Sequence, residues 1–329
     1  MGTMAEYKFL EKFLRTLGST HRVHLTCTNK RDGLGAQAIR IMSVIAYCRA
    51  RGLTYVHRPF DRVWGAPPDD PHYTARCEDF LGLGAGEIRL SDMALPPQTA
   101  AAACESPIVF DGKNVLIGIV STVPFISREP TRFLGGIPTF RQRFGFEQRL
   151  RTPRETPAGA VRIAAHIRRG DVSLARHAGR YTENDVYVAA FRRIRDLIAP
   201  LGLIPQFEVY SQGSEAEFAE FAEFGAELRI DTPLFEDVDR MATADVLLVA
   251  KSALSYVAAI YSTGVKLFQP FWVEPLPGWI AYGPEVEFDA EAFLRVFEAN
   301  AAERSIRALL RLPPDAPRQP APTDMALIA

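Results

Sequence analysis

The 329-residue chain is poor in the features that would tie it to an oxidising compartment, a metal, a membrane or a nucleic acid. It has 4 cysteines, Cys27, Cys48, Cys77 and Cys104, with no CxxC pair and no Cys/His grouping at zinc spacing. A disulfide framework and a zinc module are therefore not the reading, and the thiols are expected to be reduced packing residues. No apolar run approaches the roughly 20 residues that span a bilayer. The amino-terminal segment MGTMAEYKFLEKFLRTLGST carries charge on a helical apolar pattern, without the apolar core and small-residue cleavage site of a signal peptide. A cytosolic location is the default expectation. With 38 basic and 39 acidic side chains the net charge is -1, which gives no global field toward nucleic acid or membrane. Any recognition of an anion has to be local.

What is present is an ordinary globular composition, 47% hydrophobic and 23% charged, on a chain long enough for two domains that each bury a core. Apolar alternation and helical periodicity predict a strand at Val23–Thr28, a helix at Gly35–Arg51, a strand at Leu53–His57, a short helix closing the segment Asp69–Leu83 and a strand at Val115–Val120. Leu95–Ser106, rich in Ala and Pro, gives no clear element. The stretch RTPRETPAG reads as a connector, because its prolines forbid a continuous helix.

Beyond it, the pattern is regular. A strand over Val161–Arg169 is followed by a helix over Glu183–Ala199, strand Phe207–Ser211, helix Glu215–Phe224 and strand Glu227–Ile230. Helix Leu234–Thr243, strand Val246–Ala250, helix Ala253–Ser262, strand Val265–Gln269 and helix Ala290–Leu310 complete it. Such alternation implies right-handed β-α-β crossovers and a doubly wound parallel sheet. The expected fold is α/β, two Rossmann-like units facing a cleft. Their expected bounds are 1–152, a connector at 153–160, 161–312, and a Pro/Ala-rich tail at 313–329 whose composition predicts disorder.

Four clusters carry chemistry. His166-Ile167-Arg168-Arg169-Gly170-Asp171 ends the first strand of the second half, and ligands of such sheets bind outside the strand carboxyl ends. On a strand, Arg168 and Arg169 would point in alternate directions. Two readings are open: a guanidinium fork for phosphate oxygens, or an arginine paired structurally to Asp171. The embedded RGD tripeptide follows a buried strand and is not read as an adhesion signal.

The turn Gly33-Leu34-Gly35-Ala36-Gln37-Ala38 lies between a strand and a long helix. It suits an anion at a helix N-terminus and matches a G-x-G-x-x-A dinucleotide fingerprint. Arg58, where an NAD site would carry an acid, leaves only a phosphorylated ribose for that reading, and a plain chain-reversal turn is the other alternative. Ser252 caps a predicted helix after the apolar strand that follows Asp245, and Ser255 stands one turn in. Ser211 and Gln212 end another strand. Asp32, beside the glycine turn, is a candidate base by position alone. Phe125, Arg128, Arg132 and Phe140 are either an acceptor groove or core and loop residues.

Taken in order, HIRRGD, the strand and turn at 207–213, and ADVLLVAKSALSYVAA resemble the three donor-binding motifs of the fucosyltransferase superfamily, and GLGAQ is similar to that superfamily's G-x-[FL]-G-N-Q turn. The resemblance implies a GT-B-like, inverting glycosyltransferase that moves a sugar, fucose from GDP-fucose, to a glycan or other hydroxyl acceptor. It implies no metal and no cofactor, because arginine and helix N-termini would meet the leaving-group charge. By it, Arg168 with Arg169 would be catalytic, Arg168 on the β-phosphate. His166 and Asp237 would contact the nucleoside, Ser252 and Ser255 the phosphates, and Asp171 would orient the loop. Ser211, Gln212 and Asp245 would complete the donor side, with Gly33, Gly35 and Gln37 on the facing turn. This chain departs at Ala36 for Asn, Ser252-Ala253 for Ser-Ser and Gln212-Gly213 for an acidic pair, so phosphate handling matches better than sugar recognition. An NADP-linked oxidoreductase on the Gly33–Ala38 turn and a non-catalytic nucleotide-sugar-binding protein are the competing expectations. Oligomeric state has no signature in the sequence.

Overall fold

A computed structural model describes residues 4–17, 21–28, 32–93, 108–119, 123–150 and 160–310. Residues 153–159 of the predicted connector, the tail at 313–329, and all of Leu95–Ser106, Cys104 included, lie outside the described residues.

The first unit runs α1 (Met4–Leu17), β1 (Arg22–Cys27), α2 (Leu34–Arg51), β2 (Thr54–His57), α3 (Tyr73–Leu81), β3 (Ile88–Arg89), β4 (Ile108–Asp111) and β5 (Asn114–Ile119). Four short helices follow, α4 (Val123–Arg128), α5 (Pro130–Leu134), α6 (Ile137–Phe144) and α7 (Phe146–Leu150). The sheet order is β3-β2-β1-β5-β4, parallel except for β4. That antiparallel edge follows from Asp111-Gly112, where Gly112 takes φ +56 and closes a two-residue hairpin onto Asn114.

The second unit runs β6 (Ala160–His166), α8 (Asn184–Ile198), β7 (Ile204–Ser211), β8 (Glu227–Ile230), α9 (Leu234–Ala242), β9 (Val246–Val249), α10 (Ala253–Tyr261), β10 (Val265–Phe268), β11 (Ile280–Ala281) and α11 (Ala290–Leu310). Its six strands are all parallel, in the order β11-β10-β9-β6-β7-β8. Counted from the first strand of the unit this is 3-2-1-4-5-6, the Rossmann order. Its switch point lies between β6 and β9. The expected pair of Rossmann-like α/β units is thus present, with a hairpin edge on the first.

Two details differ from the sequence expectation. The strand ends at His166 rather than Arg169, because the last ladder bond runs from the Ile167 amide to the Tyr210 carbonyl and Gly170 turns into a left-handed conformation at φ +74. Arg168 and Arg169 therefore stand in a loop and not on alternate faces of a strand. The helix expected at Glu215–Phe224 is a 3-10 run broken at Phe218, whose φ of -121° is not helical.

Both faces of the second sheet are covered. Ile163, Ala165, Val209, Leu248 and Leu267 pack with Phe191 and Ile194 of α8 and Phe293 of α11. On the other face Ala164, Tyr210, Leu247, Val249 and Phe268 join one continuous core with α9, α10 and the helices and sheet of the first unit. Phe125 and Phe140 are fully buried in that core, which settles their choice in favour of packing, while Arg132 is exposed. Cys27, Cys48 and Cys77 are buried thiols, their pKa values raised chiefly by burial. Among the described residues no helix is long and apolar enough to cross a membrane.

Candidate functional site

The switch point gathers the loops after β6 and β9. Ser211 at the end of β7 donates from Oγ to the Ile167 carbonyl at 2.7 Å, tying the two strand ends together. Beyond that tie Gly170 is held in the left-handed region, and a Cβ there would also collide with the Gln212 side chain. The left-handed backbone is what favours glycine here, and a larger residue would also have to displace the Gln212 amide. The turn sends Arg168 back onto Asp171 as a two-point pair, Nη2 to Oδ2 at 2.7 Å and Nε to Oδ1 at 3.3 Å. Both remain in contact with solvent, at 21% and 30% side-chain exposure. The ion-pair reading of HIRRGD is therefore what the isolated chain adopts, with the fork still reachable from outside.

Arg169 has a different position. Its guanidinium donates to the carbonyls of Arg168 and Thr182 and to Asn184 Oδ1 at 2.6 Å, and lies 4.2 Å over the Tyr181 ring. At 8% exposure it is committed to holding the loop between β6 and α8. It supports Arg168 from behind.

His166 closes β6. Its Nδ1 is buried with no hydrogen-bond partner among the described residues, and burial, helped by the adjacent Arg168 charge, pushes its pKa down to about 3. The ring is neutral and offers an unused polar atom beside Arg168.

After β9 the chain makes a tight turn and Ser252 caps α10, its Oγ accepting the Leu254 amide at 3.3 Å. Ser255 donates back to the Ser252 carbonyl at 3.2 Å. Both serines are buried, at 3% and 0% exposure. Between them in sequence, Ala253 and Leu254 meet the first unit: a Cβ on Gly35 would approach within 2.6 Å of the Ala253 carbonyl carbon and still nearer the Leu254 backbone. The glycine that sequence reading associates with a ligand's close approach is here approached by α10.

The remaining expected donor residues are dispersed. Asp237, in the first turn of α9, accepts from Arg229 Nε at 3.0 Å and from the Thr232 hydroxyl at 2.8 and 2.9 Å, and burial raises its pKa despite those donors. Asp245 precedes β9, at the amino ends of the strands, and accepts the Arg162 amide at 2.8 Å. It faces the edge of the sheet opposite to Arg168. Gln212 lies against Gly170.

Across from the switch point, Asp32 precedes α2. Its Oδ1 accepts the Gly33 amide at 2.9 Å and its Oδ2 pairs with Arg40 at 2.5 Å. Gln37 donates from Nε2 to the Asp32 and Arg62 carbonyls at 2.7 and 2.9 Å, leaving Oε1 buried and unpartnered among the described residues. Arg40 is 5% exposed and its Nη1 is buried without a partner among the described residues. Sequence reading passed over Arg40, although a lone cation inside the apolar run AIRIMSVIAY was a visible signal. Two cavities, of about 460 and 500 Å³, lie elsewhere, around Arg193 with Glu285 and around Tyr7 with Arg51, and neither is lined by these loops.

No protein-family profile and no curated protein sequence matches the chain. Solved structures of similar fold include the fucosyltransferase NodZ from Bradyrhizobium, 11% identical over 74% of this chain and 95% of that one, with a TM-score of 0.41. POFUT1 in complex with GDP is 9% identical over 75% of this chain and 96% of that one, also at 0.41. The E. coli heptosyltransferase WaaC with ADP-2-deoxy-2-fluoro heptose is 13% identical over 84% and 99%, at 0.37.

Proposed function

We propose that this chain is a glycosyltransferase that binds a nucleoside-diphosphate sugar, GDP-fucose in the first instance, at the carboxyl ends of β6 and β9. The observation that carries the reading is Arg168. Its guanidinium fork stands at the switch point of a parallel 3-2-1-4-5-6 sheet, partly open to solvent and opposed by one carboxylate on its own loop. A diphosphate presents two or more oxygens to the same fork and can replace Asp171, since charge-assisted pairs to phosphate are among the stronger hydrogen bonds.

In this reading the acceptor hydroxyl attacks the anomeric carbon from the face opposite the nucleotide, its proton passing to water. The bond to the β-phosphate oxygen breaks with inversion, and the charge that collects on that oxygen is met by Arg168. Arg169 keeps the loop in place, Gly170 gives it its turn, and neutral His166 offers Nδ1 to the nucleotide. The guanidinium takes the role that a divalent ion has in other sugar transferases, so no metal is invoked. Ser252 and Ser255 are buried as they stand, so their part is to hold the first turn of α10, which α2 abuts at Ala253 and Leu254.

The dinucleotide reading of Gly33–Ala38 is less well supported. Its second glycine exists to admit a pyrophosphate, and at Gly35 that space is occupied by Ala253 and Leu254. The test is turnover: the chain incubated with GDP-fucose and water or a sugar acceptor should release GDP, with Arg168→Ala reducing the rate at least tenfold. Normal GDP binding without release across an acceptor panel would favour the non-catalytic binding protein.

A further inference from the structure

We infer that Trp64 is a stacking platform for the acceptor, and hence that the acceptor is a carbohydrate presenting a ring face to an indole. This deepens the glycosyltransferase reading and rests on it. Of the 3 tryptophans, two are packed into the fold. Trp279 lies 4.7 Å from Tyr256 and Trp272 5.5 Å from Phe271, centroid to centroid. Trp64 is 62% exposed, and no ring pair among the described residues includes it. Scattered exposed apolar side chains are ordinary. An indole is different in scale, because it can bury roughly 150–250 Å² and here forgoes most of it.

The backbone that carries Trp64 is fixed. Phe60 and Val63 are buried at 6% and 2% exposure and anchor the segment from below. The Phe60 amide donates to Glu78 Oε2, the Arg62 carbonyl accepts Gln37 Nε2 at 2.9 Å, and the Trp64 amide donates to the Asp32 carbonyl at 2.9 Å. The Ala66 amide then reaches back to the Val63 carbonyl, and Gly65 takes φ +81. This is a type II turn with Trp64 at its first corner, a geometry that needs glycine next and points the corner residue outward. A mobile loop would leave an exposed aromatic unremarkable. A loop held at this many points displays it at low entropic cost to binding.

The position is the acceptor side of the proposed reaction. Trp64 is bonded through its backbone to Asp32, whose side chain is 42% exposed. Asp32 is followed by Gly33 at the start of α2, and Gly35 abuts Leu254 in the first turn after β9. The residue carrying the indole is thus hydrogen-bonded to the residue carrying the carboxylate, next to the helix start that abuts the first turn of α10. Together they form a sugar-binding pair: C–H groups of a pyranose face lie on the indole while ring hydroxyls donate to Asp32. Exposed Asp61 and Arg62 flank the indole, which suits a hydroxyl-rich partner better than an apolar one.

The test is a panel of hexose and N-acetylhexosamine oligosaccharides, titrated into the full chain while tryptophan emission is followed, with GDP binding measured in parallel by calorimetry. At least one oligosaccharide should quench and blue-shift the solvent-exposed emission. By calorimetry with the same oligosaccharide, since both variants lack the reporting indole, Trp64→Ala should weaken binding tenfold or more, Trp64→Phe should restore part of it, and GDP affinity should be unchanged in both. GDP binding with no oligosaccharide binding, or oligosaccharide binding undiminished in Trp64→Ala, overturns the inference and leaves the donor reading standing. Trp64-dependent sugar binding without GDP binding overturns the donor reading instead. Trp64-dependent binding to phosphatidylserine vesicles in place of sugars overturns the inference in favour of a lipid surface.

Discussion

Gly35 and Leu254 meet backbone to backbone, the first in α2 of one unit and the second in α10 of the other. No side chain larger than hydrogen fits, so the two helix N-termini approach as closely as their chains allow. Helix propensity favours alanine at a helical position by roughly 0.5–1 kcal/mol. At Gly35 the contact should outweigh that gain. Gly35→Ala is expected to cost about 1–3 kcal/mol as an overpacked site, lowering Tm by several degrees in a thermal melt. Gly179→Ala, where nothing lies within 4 Å, should leave Tm nearly unchanged. Equal melts for the two variants would contradict the close packing.

Under the sheet, Arg162 and Glu208 form a two-point pair at 3.1 and 2.9 Å, both side chains buried, with Arg240 and the Tyr210 hydroxyl completing the acceptor sites of the carboxylate. Burial alone would raise the Glu208 pKa, but Arg162, Tyr210 and Arg240 outweigh it and hold it below its ordinary value of 4.5. A carboxylate depressed in the folded state contributes stability above its unfolded pKa and loses it as pH falls through the folded value. Glu208→Gln should therefore cost roughly 3–5 kcal/mol at neutral pH, the usual cost of stranding a buried partner charge. The gap from the parent should narrow below pH 4.5 in chemical denaturation. A gap independent of pH would contradict the ion pair.

His166 adds to the acid response in the same direction. Its pKa falls from 6.5 to about 3 on folding, through burial first and Arg168 second. Between those values the unfolded chain binds a proton that the folded chain does not, so stability declines as pH is lowered from 6.5 toward 3. His166→Asn should flatten part of that slope in urea titrations at pH 7.5 and 5, chosen near the top and inside the window. An unchanged slope would show that the imidazole is already accessible and charged.

Much of this fold was legible in the sequence, because local signals carried it. Strand Glu227–Ile230 and helix Ala290–Leu310 fall where periodicity put them, and the Gly35–Arg51 helix is off by one residue at its start. The misses lie where tertiary contacts overrule local pattern. Arg168 and Arg169 leave the strand because Gly170 turns the chain, and Phe218 interrupts a run of good helix formers. The antiparallel β4 edge lay in a segment of mixed composition. At the site, the HIRRGD motif was found, but its internal division was not: Arg169 is committed to Thr182 and Asn184, residues that only the folded loop brings near. Asp245 read as part of a donor motif by proximity to β9, although it precedes the strand and so faces the other edge. Gly35 was recognised as a close-approach glycine, and its partner across 219 positions of sequence was beyond any local pattern.

The central claim is that Arg168 receives a nucleoside diphosphate at the switch point, and isothermal calorimetry with GDP on the parent chain and on Arg168→Ala tests it most directly. The account predicts saturable binding by the parent. The alanine variant should be weaker by about tenfold to a hundredfold, the equivalent of one charged hydrogen-bonding group worth about 1.5–3 kcal/mol. Absence of GDP binding by the parent, or equal affinity in the variant, would contradict it.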